Sequence, residues 1–185
     1  DKFYVGDGAR KSISFDGTSF SLGADTEIGN STQTVVTVHQ TTGDYTSISA
    51  AISAVTKLYK SSSDTASTQI KIKAGYVETV GLNIWGKDLS NIIIIGDTGV
   101  TTWDISSSFT GSVYSFANAI APTFTALPSD TSTVARTGAV FLLVNSKLKI
   151  DGSITKPKIS CTRDYYLNVV GTSVVSISNI NIDCY

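Results

Sequence analysis

The period of the hydrophobic positions changes along this chain. From Ile70 onward, apolar and polar residues alternate, as in Ile70 and Ile72 set against Lys71 and Lys73. The later stretches "SKLKIDG", "KPKISC", "YLNVV" and "VVSISNINIDC" repeat this style, with Gly, Asn and Asp at the corners. Alternation of this kind indicates short strands bounded by turns. Because no helical pattern separates the strands, we predict a mostly β fold in which each turn of a parallel coil stacks on the previous one.

The segment before the alternating region has helical periodicity. Thr46 is the predicted N-cap of a helix that runs to about residue 60. One face of this helix carries five apolar residues at helical spacing: Ile48, Ala51, Ile52, Val55 and Tyr59. The first turn of a β coil exposes an apolar interior and unpaired strand groups, which invites aggregation. We therefore predict that this amphipathic helix caps the open end of the coil.

Residues 1–33 form a segment of their own, which we predict to be a short β-ribbon connector. Its strands flank an Asp16–Thr18 turn with the "DGT" chemistry of hairpins. An isolated ribbon of this size is marginally stable, so it needs a partner surface. Either it packs on the following domain, residues 34–185, or copies from several chains pack about a common axis as a trimerisation segment. The candidate interface residues are Phe3, Val5, Ile13, Phe15, Phe20 and Leu22.

Composition narrows the possible partners. The chain has 185 residues, 41% hydrophobic and 16% charged, which fits a folded protein of one or two modules. Its net charge is −1 and its 14 Lys and Arg residues are scattered, so no basic face for nucleic acid is expected. No apolar run is long enough to cross a bilayer, so we expect no membrane insertion.

The two cysteines fit a coil. Cys161 and Cys184 are 23 residues apart, a plausible length for one turn of a repeat architecture. Two cysteines are too few for a disulfide framework and lack the spacing of a metal site. We predict two buried thiols, stacked as neighbours on an inward ladder.

Three quoted stretches carry a family resemblance. "GDYTSISAAISAV", "IKIKAGYVETVGLNI" and "LSNIIIIGD" follow one another between Val36 and Asp97. In this order they resemble the opening of the pectin-lyase-like right-handed parallel β-helix proteins, which include pectin methylesterases and many bacteriophage tailspikes. Residues 3–22, "FYVGDGARKSISFDGTSFSL", are similar to short β elements of phage fibre proteins. The chain therefore looks most like the N-terminal part of a phage tailspike or tail fibre.

The resemblance implies a structural and host-recognition component of a phage tail. Such a protein is part of the virion, is a homotrimer, contacts other virion tail proteins and presents its β-helix to host surface polysaccharide. A polysaccharide depolymerase or esterase, with its active site on later turns or between subunits, is the alternative. A secreted, extracellular β-helical adhesin is a second alternative, because fold analogy alone does not choose among these functions.

No catalytic residue, cofactor or metal site is assigned from the sequence. His39 is the only histidine, and without a G-x-S-x-G elbow it is better interpreted as a strand or interface residue than as part of a triad. If the protein is an enzyme, we expect a glycan-degrading hydrolase, lyase or esterase. Asp97, Asp151 and Asp183 are assigned to turns, and Glu78 is assigned to solvent. The carboxylates that could face outward as a pair for glycoside hydrolysis are Glu78, Asp97, Asp104, Asp151, Asp164 and Asp183.

Residues 106–138 differ in amino-acid composition from the rest of the coil. They contain two of the three prolines, many Ser, Thr and Ala, and only Asp130 and Arg136 as charged residues. We predict a long excursion from the coil. Its aromatic residues form either a sugar-stacking or subunit-contact surface or part of the core: Phe109, Tyr114, Phe116 and Phe124. The same alternatives apply to four candidate glycan-contact residues: Trp85, Trp103, Tyr165 and Tyr166.

Overall fold

The chain divides into two compact units. The computed structural model describes residues 3–6, 12–15, 20–22, 35–56, 68–132 and 136–184. One unit comprises Asp1–Thr32 with Lys57–Thr65, and the other comprises Gln33–Thr56 with Ala66–Tyr185. The first contains the ribbon and the second contains the coil.

The ribbon is an antiparallel sheet of three strands, β1 (Phe3–Gly6), β2 (Ser12–Phe15) and β3 (Phe20–Leu22). The Asp16–Thr18 turn lies outside the described residues. The six candidate interface residues occupy two rows of paired positions across the sheet: Phe3, Phe15 and Phe20 in one row, and Val5, Ile13 and Leu22 in the other. Their side chains lie outside what the structure describes, so the trimerisation role stays a prediction.

The second unit contains one helix and fifteen described strands. In chain order they are β4 (Val35–Val38), α1 (Ile48–Val55), β5 (Thr68–Ile72), β6 (Val77–Glu78), β7 (Leu82–Trp85), β8 (Ile92–Gly96), β9 (Thr102–Ile105), β10 (Tyr114–Ala117), β11 (Ile120–Phe124), β12 (Leu127–Ser129), β13 (Arg136–Val144), β14 (Lys147–Asp151), β15 (Lys158–Cys161), β16 (Arg163–Val170), β17 (Val174–Ser178) and β18 (Asn181–Cys184).

These strands form parallel sheets that coil as a β-solenoid of about four turns. Each turn contributes one strand to each of three faces, so the sheet orders are β17-β14-β11-β8-β5-β4, β16-β13-β10-β7 and β12-β9-β6, with β15 and β18 paired separately. Every strand pairing within these sheets is parallel. The prediction of a mostly β parallel coil with one helix is confirmed.

Alternation of apolar and polar residues builds the core. In the six-stranded sheet, register aligns one inward residue from each successive strand: Val36, Ile70, Ile94, Phe124, Ile150 and Ile177. The first five are buried, whereas Ile177 on β17 is 44% exposed. Fully burying such a side chain stabilises the folded state by about 1.5–3 kcal/mol relative to leaving it exposed. The ladder of stacked apolar side chains therefore stabilises each turn on its neighbour.

The helix begins one residue later than the sequence predicts. Ser47, not Thr46, is the N-cap, because its side chain accepts a hydrogen bond from the backbone N–H of Ala50. The described helix ends at Val55, with Thr56 as its C-cap, and Tyr59 lies outside the described residues.

The helix packs on the first turn of the coil. Ile48, Ala51 and Ile52 are buried in the same core as the strands, and Val55 is half-buried against it. α1 contacts β4 and β5, and β4 is the terminal strand of the six-stranded sheet. The apolar face of the helix therefore covers apolar side chains that this end of the sheet would otherwise expose.

The predicted excursion over residues 106–138 is wrong for most of its length. β10, β11, β12 and the start of β13 fall within it and form regular parts of the coil. Tyr114, Phe116 and Phe124 are fully buried, and Tyr114 stacks on Phe141 with ring centroids 5.4 Å apart. All three residues of β12 are buried, so low charge here reflects strands covered on both faces rather than a loop. The connection 106–113 between β9 and β10 is irregular, and its Phe109 packs half-buried against the core.

The cysteine prediction is confirmed at the level of backbone register. Cys161 on β15 pairs with Cys184 on β18, one turn later, and Cys161 is buried. The side chain of Cys184 lies outside what the structure describes.

Candidate functional site

A groove of about 370 Å³ opens on the outer face of the six-stranded sheet. It crosses β11, β14 and β17, and we call it the lysine groove. The residues that matter for its chemistry are Ile120, Thr123, Lys147, Lys149, Val174 and Ser176. Its volume is at the small end of the range for ligand pockets.

An extra residue in β11 shapes the lysine groove. Register aligns Ile120 with Lys147, but three positions later it aligns Thr123 with Lys149, only two positions further along β14. This shift is a β-bulge, which bends a strand and changes the direction of its side chains. Pro122 lies inside the shifted stretch and has no N–H to donate to a neighbouring strand. The extra residue therefore breaks the alternation of β11, in which Ala121 and Pro122 are both buried.

The lysines are placed by the alternation of β14. Leu148 and Ile150 are buried, whereas Lys147 and Lys149 between and beside them are exposed on the outer face. Their Cα atoms lie roughly 7 Å apart, as expected for alternate residues on one strand. The neighbouring strands align Val174 with Lys147 and Ser176 with Lys149. Lys147, Lys149, Thr123 and Ser176 thus line the same groove as the apolar residues Ile120 and Val174.

The lysine groove has an excess of positive charge. Lys149 Nζ lies 3.8 Å from Asp151 Oδ2, with the lysine side chain 58% exposed. Asp151 also accepts hydrogen bonds from the Ser153 N–H and the Ser178 hydroxyl, and the Ser153 bonds in particular lower its pKa. Lys147 makes no ion pair with any residue in the described part of the chain. One lysine is therefore unopposed, and the other shares its carboxylate.

A second polar constellation lies inside the coil, contrary to the expectation that Glu78 is solvated. Glu78 is fully buried, and its Oε1 accepts the N–H groups of Val80 and Gly81, each at 3.0 Å. Its Oε2 accepts the Tyr114 hydroxyl at 2.8 Å. Gly81 has a φ of +70°, which glycine adopts without strain, so the corner can direct its N–H toward the carboxylate.

This interior network extends to the helix and across the core. Tyr114 Oη accepts the Trp103 indole N–H at 3.1 Å, and Tyr76 Oη accepts the Ile48 N–H at the start of α1 at 3.4 Å. After burial, the next cause that raises the pKa of Tyr76 is the nearby Glu78. Burial raises the pKa of Tyr76, Tyr114 and Tyr166, so these three buried tyrosines stay protonated in the fold. The interior network is a satisfied structural element, because every polar group named in it has a partner.

A third constellation, the arginine cluster, consists of Asp130, Arg136 and Arg163. Asp130 is fully buried, and its Oδ2 lies 2.9 Å from Arg163 Nε while its Oδ1 lies 3.8 Å from Arg136 Nη2. Burial lowers the pKa of Arg163, and the Asp130 carboxylate opposes this shift.

The arginine cluster holds the 106–113 connection. Arg163 donates to the carbonyls of Phe109 at 3.0 Å and Gly111 at 2.7 Å, and Arg136 donates to the Ser106 carbonyl at 2.6 Å. The Arg163 guanidinium also lies 5.7 Å from the centre of the Phe109 ring. The cluster therefore fixes an irregular connection to the last turns of the coil.

The prediction of glycan contact is wrong for two of the four candidate residues, because they are buried. Trp103 and Tyr166 are only 3% and 7% exposed, and the Tyr166 hydroxyl donates to the Pro128 carbonyl at 3.2 Å. Trp85 and Tyr165 are 75% and 57% exposed. They lie on β7 and β16, the two edge strands of the four-stranded sheet, so the fold does not bring them together.

His39 lies at a turn, whereas the carboxylates Asp104, Asp164 and Asp183 lie on strands β9, β16 and β18. His39 Nδ1 accepts the N–H groups of Thr41 and Thr42, which organises a turn after β4. Among the exposed carboxylates, Asp164 accepts the Gly138 N–H and Asp104 accepts the Thr131 hydroxyl. Asp183 has no described side chain. In the described ranges, no three His, Cys, Asp or Glu residues are grouped as a metal site.

No known protein family, curated protein or solved structure matches the chain. The resemblance to phage tailspikes and fibres therefore stays a prediction, whereas the parallel β-helix is observed. Among the helices that the structure describes, none is long and apolar enough to span a membrane.

Proposed function

We propose that the chain is a structural and host-recognition component of a phage tail that binds host surface polysaccharide through the outer faces of its β-helix. The lysine groove is the observation that carries this proposal. It is a concave, solvent-open site lined by both apolar and polar side chains, the combination that suits a sugar ring with its apolar face and peripheral hydroxyls.

The coil is suited to recognition because it is stiff. On β11 and β14 the outer-face side chains are placed by strands whose inward residues Phe124 and Ile150 are buried in the aligned apolar ladder. A site built on such strands loses little conformational entropy when a ligand binds. The interior network and the arginine cluster use their buried ionisable groups to hold corners, so the outer faces are where a ligand can bind.

The β1–β3 ribbon is the segment proposed for attachment, on the basis of its pattern of apolar positions. We propose that the β1–β3 ribbon joins the chain to sister subunits in a homotrimer and to other tail proteins of the virion. Rows of paired aromatic and aliphatic positions on a sheet too small to stand alone support this role. Light scattering on the purified protein at micromolar concentration should give the mass of a trimer, and a stable monomer would reject this part of the proposal.

The recognition function is tested by incubating labelled protein with purified bacterial surface polysaccharides and measuring both binding and polymer length. We expect saturable binding to a subset of polysaccharides and unchanged length. Sustained release of oligosaccharides would instead establish the depolymerase or esterase alternative. Binding without any association with virions would favour the secreted adhesin.

A further inference from the structure

The donors of the lysine groove have a particular chemistry. Lys147 and Lys149 each present a compact ammonium with three donors, and the hydroxyls of Thr123 and Ser176 can rotate to donate. Among the residues that the structure describes, no arginine lines the groove. Arginine is the side chain whose planar fork matches a planar carboxylate with two parallel hydrogen bonds, whereas lysine binds phosphate as a point charge.

We propose that the lysine groove binds a phosphomonoester carried on a sugar of the host glycan. The assignment rests on the proposed function and names the chemistry of the same site. A phosphomonoester carries a charge of about −1.5 to −2 at neutral pH and three strong acceptor oxygens. A carboxylate carries one negative charge and two acceptor oxygens. The groove offers two ammonium groups and two hydroxyl groups, more positive charge and more donors than one carboxylate can pair with.

The donors lie in two neighbouring rows across three adjacent strands. Register aligns Thr123 on β11, Lys149 on β14 and Ser176 on β17 in one row, and Lys147 lies in the next row of the same face. A bound group on this face can therefore meet two ammonium and two hydroxyl donors. Ile120 and Val174 flank Lys147 in its row and offer apolar surface for the face of the sugar ring.

Charge supports the same ligand. Lys149 has Asp151 as a partner at 3.8 Å, but Asp151 is also engaged by Ser153 and Ser178. Lys147 makes no ion pair among the described residues. A dianionic phosphate balances both ammonium groups, since it neutralises Lys147 and competes with Asp151 for Lys149.

Titration calorimetry with three synthetic disaccharides tests the assignment. One carries a phosphomonoester, one carries a carboxylate in its place and one is unsubstituted, and inorganic phosphate is the fourth probe. We expect the phosphorylated disaccharide to bind most tightly. Each of Lys147→Gln and Lys149→Gln should weaken its binding roughly tenfold, the effect of losing one charged hydrogen bond. Lys158→Gln, an exposed lysine on β15, is the matched control and should leave binding unchanged.

The pH dependence separates phosphate from carboxylate. The second ionisation of a phosphomonoester has a pKa of about 6, so its binding should strengthen as pH rises through that value, whereas a carboxylate is already ionised there. Equal binding of the carboxylated or unsubstituted disaccharide, or binding that inorganic phosphate matches in affinity, would overturn the assignment.

The failure of this assignment is distinguishable from failure of the proposed function. If host polysaccharides bind equally to the wild-type protein and to both lysine variants, the recognition function stands and the phosphate site is rejected. If the phosphorylated disaccharide binds in a lysine-dependent manner while no surface polysaccharide binds, the site stands and the host-recognition function is rejected.

Discussion

Replacing Tyr114 by phenylalanine removes one hydroxyl from the centre of the interior network. That hydroxyl donates to Glu78 Oε2 at 2.8 Å and accepts the Trp103 indole N–H at 3.1 Å. Both partners are buried, with Glu78 at 0% and Trp103 at 3% exposure, so water does not replace what is lost. The substitution changes neither the ring nor its stacking on Phe141.

The magnitude follows from the two lost bonds. A hydrogen bond to a charged group contributes about 1.5–3 kcal/mol, and an unsatisfied buried donor costs about 1–3 kcal/mol. Phenylalanine is easier to bury than tyrosine, which offsets part of this loss. We expect Tyr114→Phe to lower the free energy of unfolding by about 2–4 kcal/mol, a large fraction of the ~5–15 kcal/mol of a typical domain.

Urea unfolding followed by circular dichroism measures this change, provided that the transition is two-state. Tyr165→Phe is the matched control, because the Tyr165 side chain is exposed. Removing its hydroxyl should change the free energy of unfolding by no more than about 0.5 kcal/mol. In a double-mutant cycle, Tyr114→Phe and Glu78→Gln should be non-additive, since their side chains are in contact. If Tyr114→Phe costs no more than Tyr165→Phe, the interior network does not stabilise the coil.

Three further predictions concern the cap, the arginine cluster and alkaline pH. Ile52→Ala should lower the free energy of unfolding, measured by thermal unfolding, by about 2–5 kcal/mol, because Ile52 is buried. The control Ser53→Ala, on the exposed side of α1, should change it by about 0.5 kcal/mol. Similar losses for the two variants would contradict the capping role of the helix. Arg163→Met should lower the free energy of unfolding by about 3–5 kcal/mol, because it removes the closer of the two cations that face the buried Asp130 and leaves only Arg136 at 3.8 Å. It should also speed proteolysis within residues 106–113, since Arg163 binds carbonyls of that connection. Adding Asp130→Asn should recover part of the lost stability, and no recovery would argue against the pairing. The three buried tyrosines have folded pKa values above their unfolded value of about 10, so their contribution is present below that pH and is lost as pH rises above it; an unfolding free energy that stays flat there would refute this.

The coil could be predicted because its signal is local. Alternation at Ile70 and Ile72 and the spacing of Ile48 and Ile52 are periodic patterns that record which side chains face the core. The register pairing of Cys161 with Cys184 followed from their spacing for the same reason. The N-cap was displaced by one residue because both Thr46 and Ser47 are competent caps.

The sites could not be predicted, since they depend on which turns become neighbours. Glu78 is an ordinary surface residue by type, and only the fold brings Tyr114, 36 positions away, onto its carboxylate. Trp103 and Trp85 are the same residue type on similar strands, yet one is inside and the other outside. The stretch "SKLKIDG" indicates that Lys147 and Lys149 face outward. The register shift in β11 beside them could not be predicted in the same way, because Pro122 is its only signal in the sequence.

Hydrogen exchange on the protein, with and without a surface polysaccharide that it binds, tests most directly whether the lysine groove is the recognition surface. The account predicts that protection on binding is centred on β11, β14 and β17 around Lys147 and Lys149. Protection centred on the Trp85 edge or on residues 106–113, with none around the lysines, would contradict it.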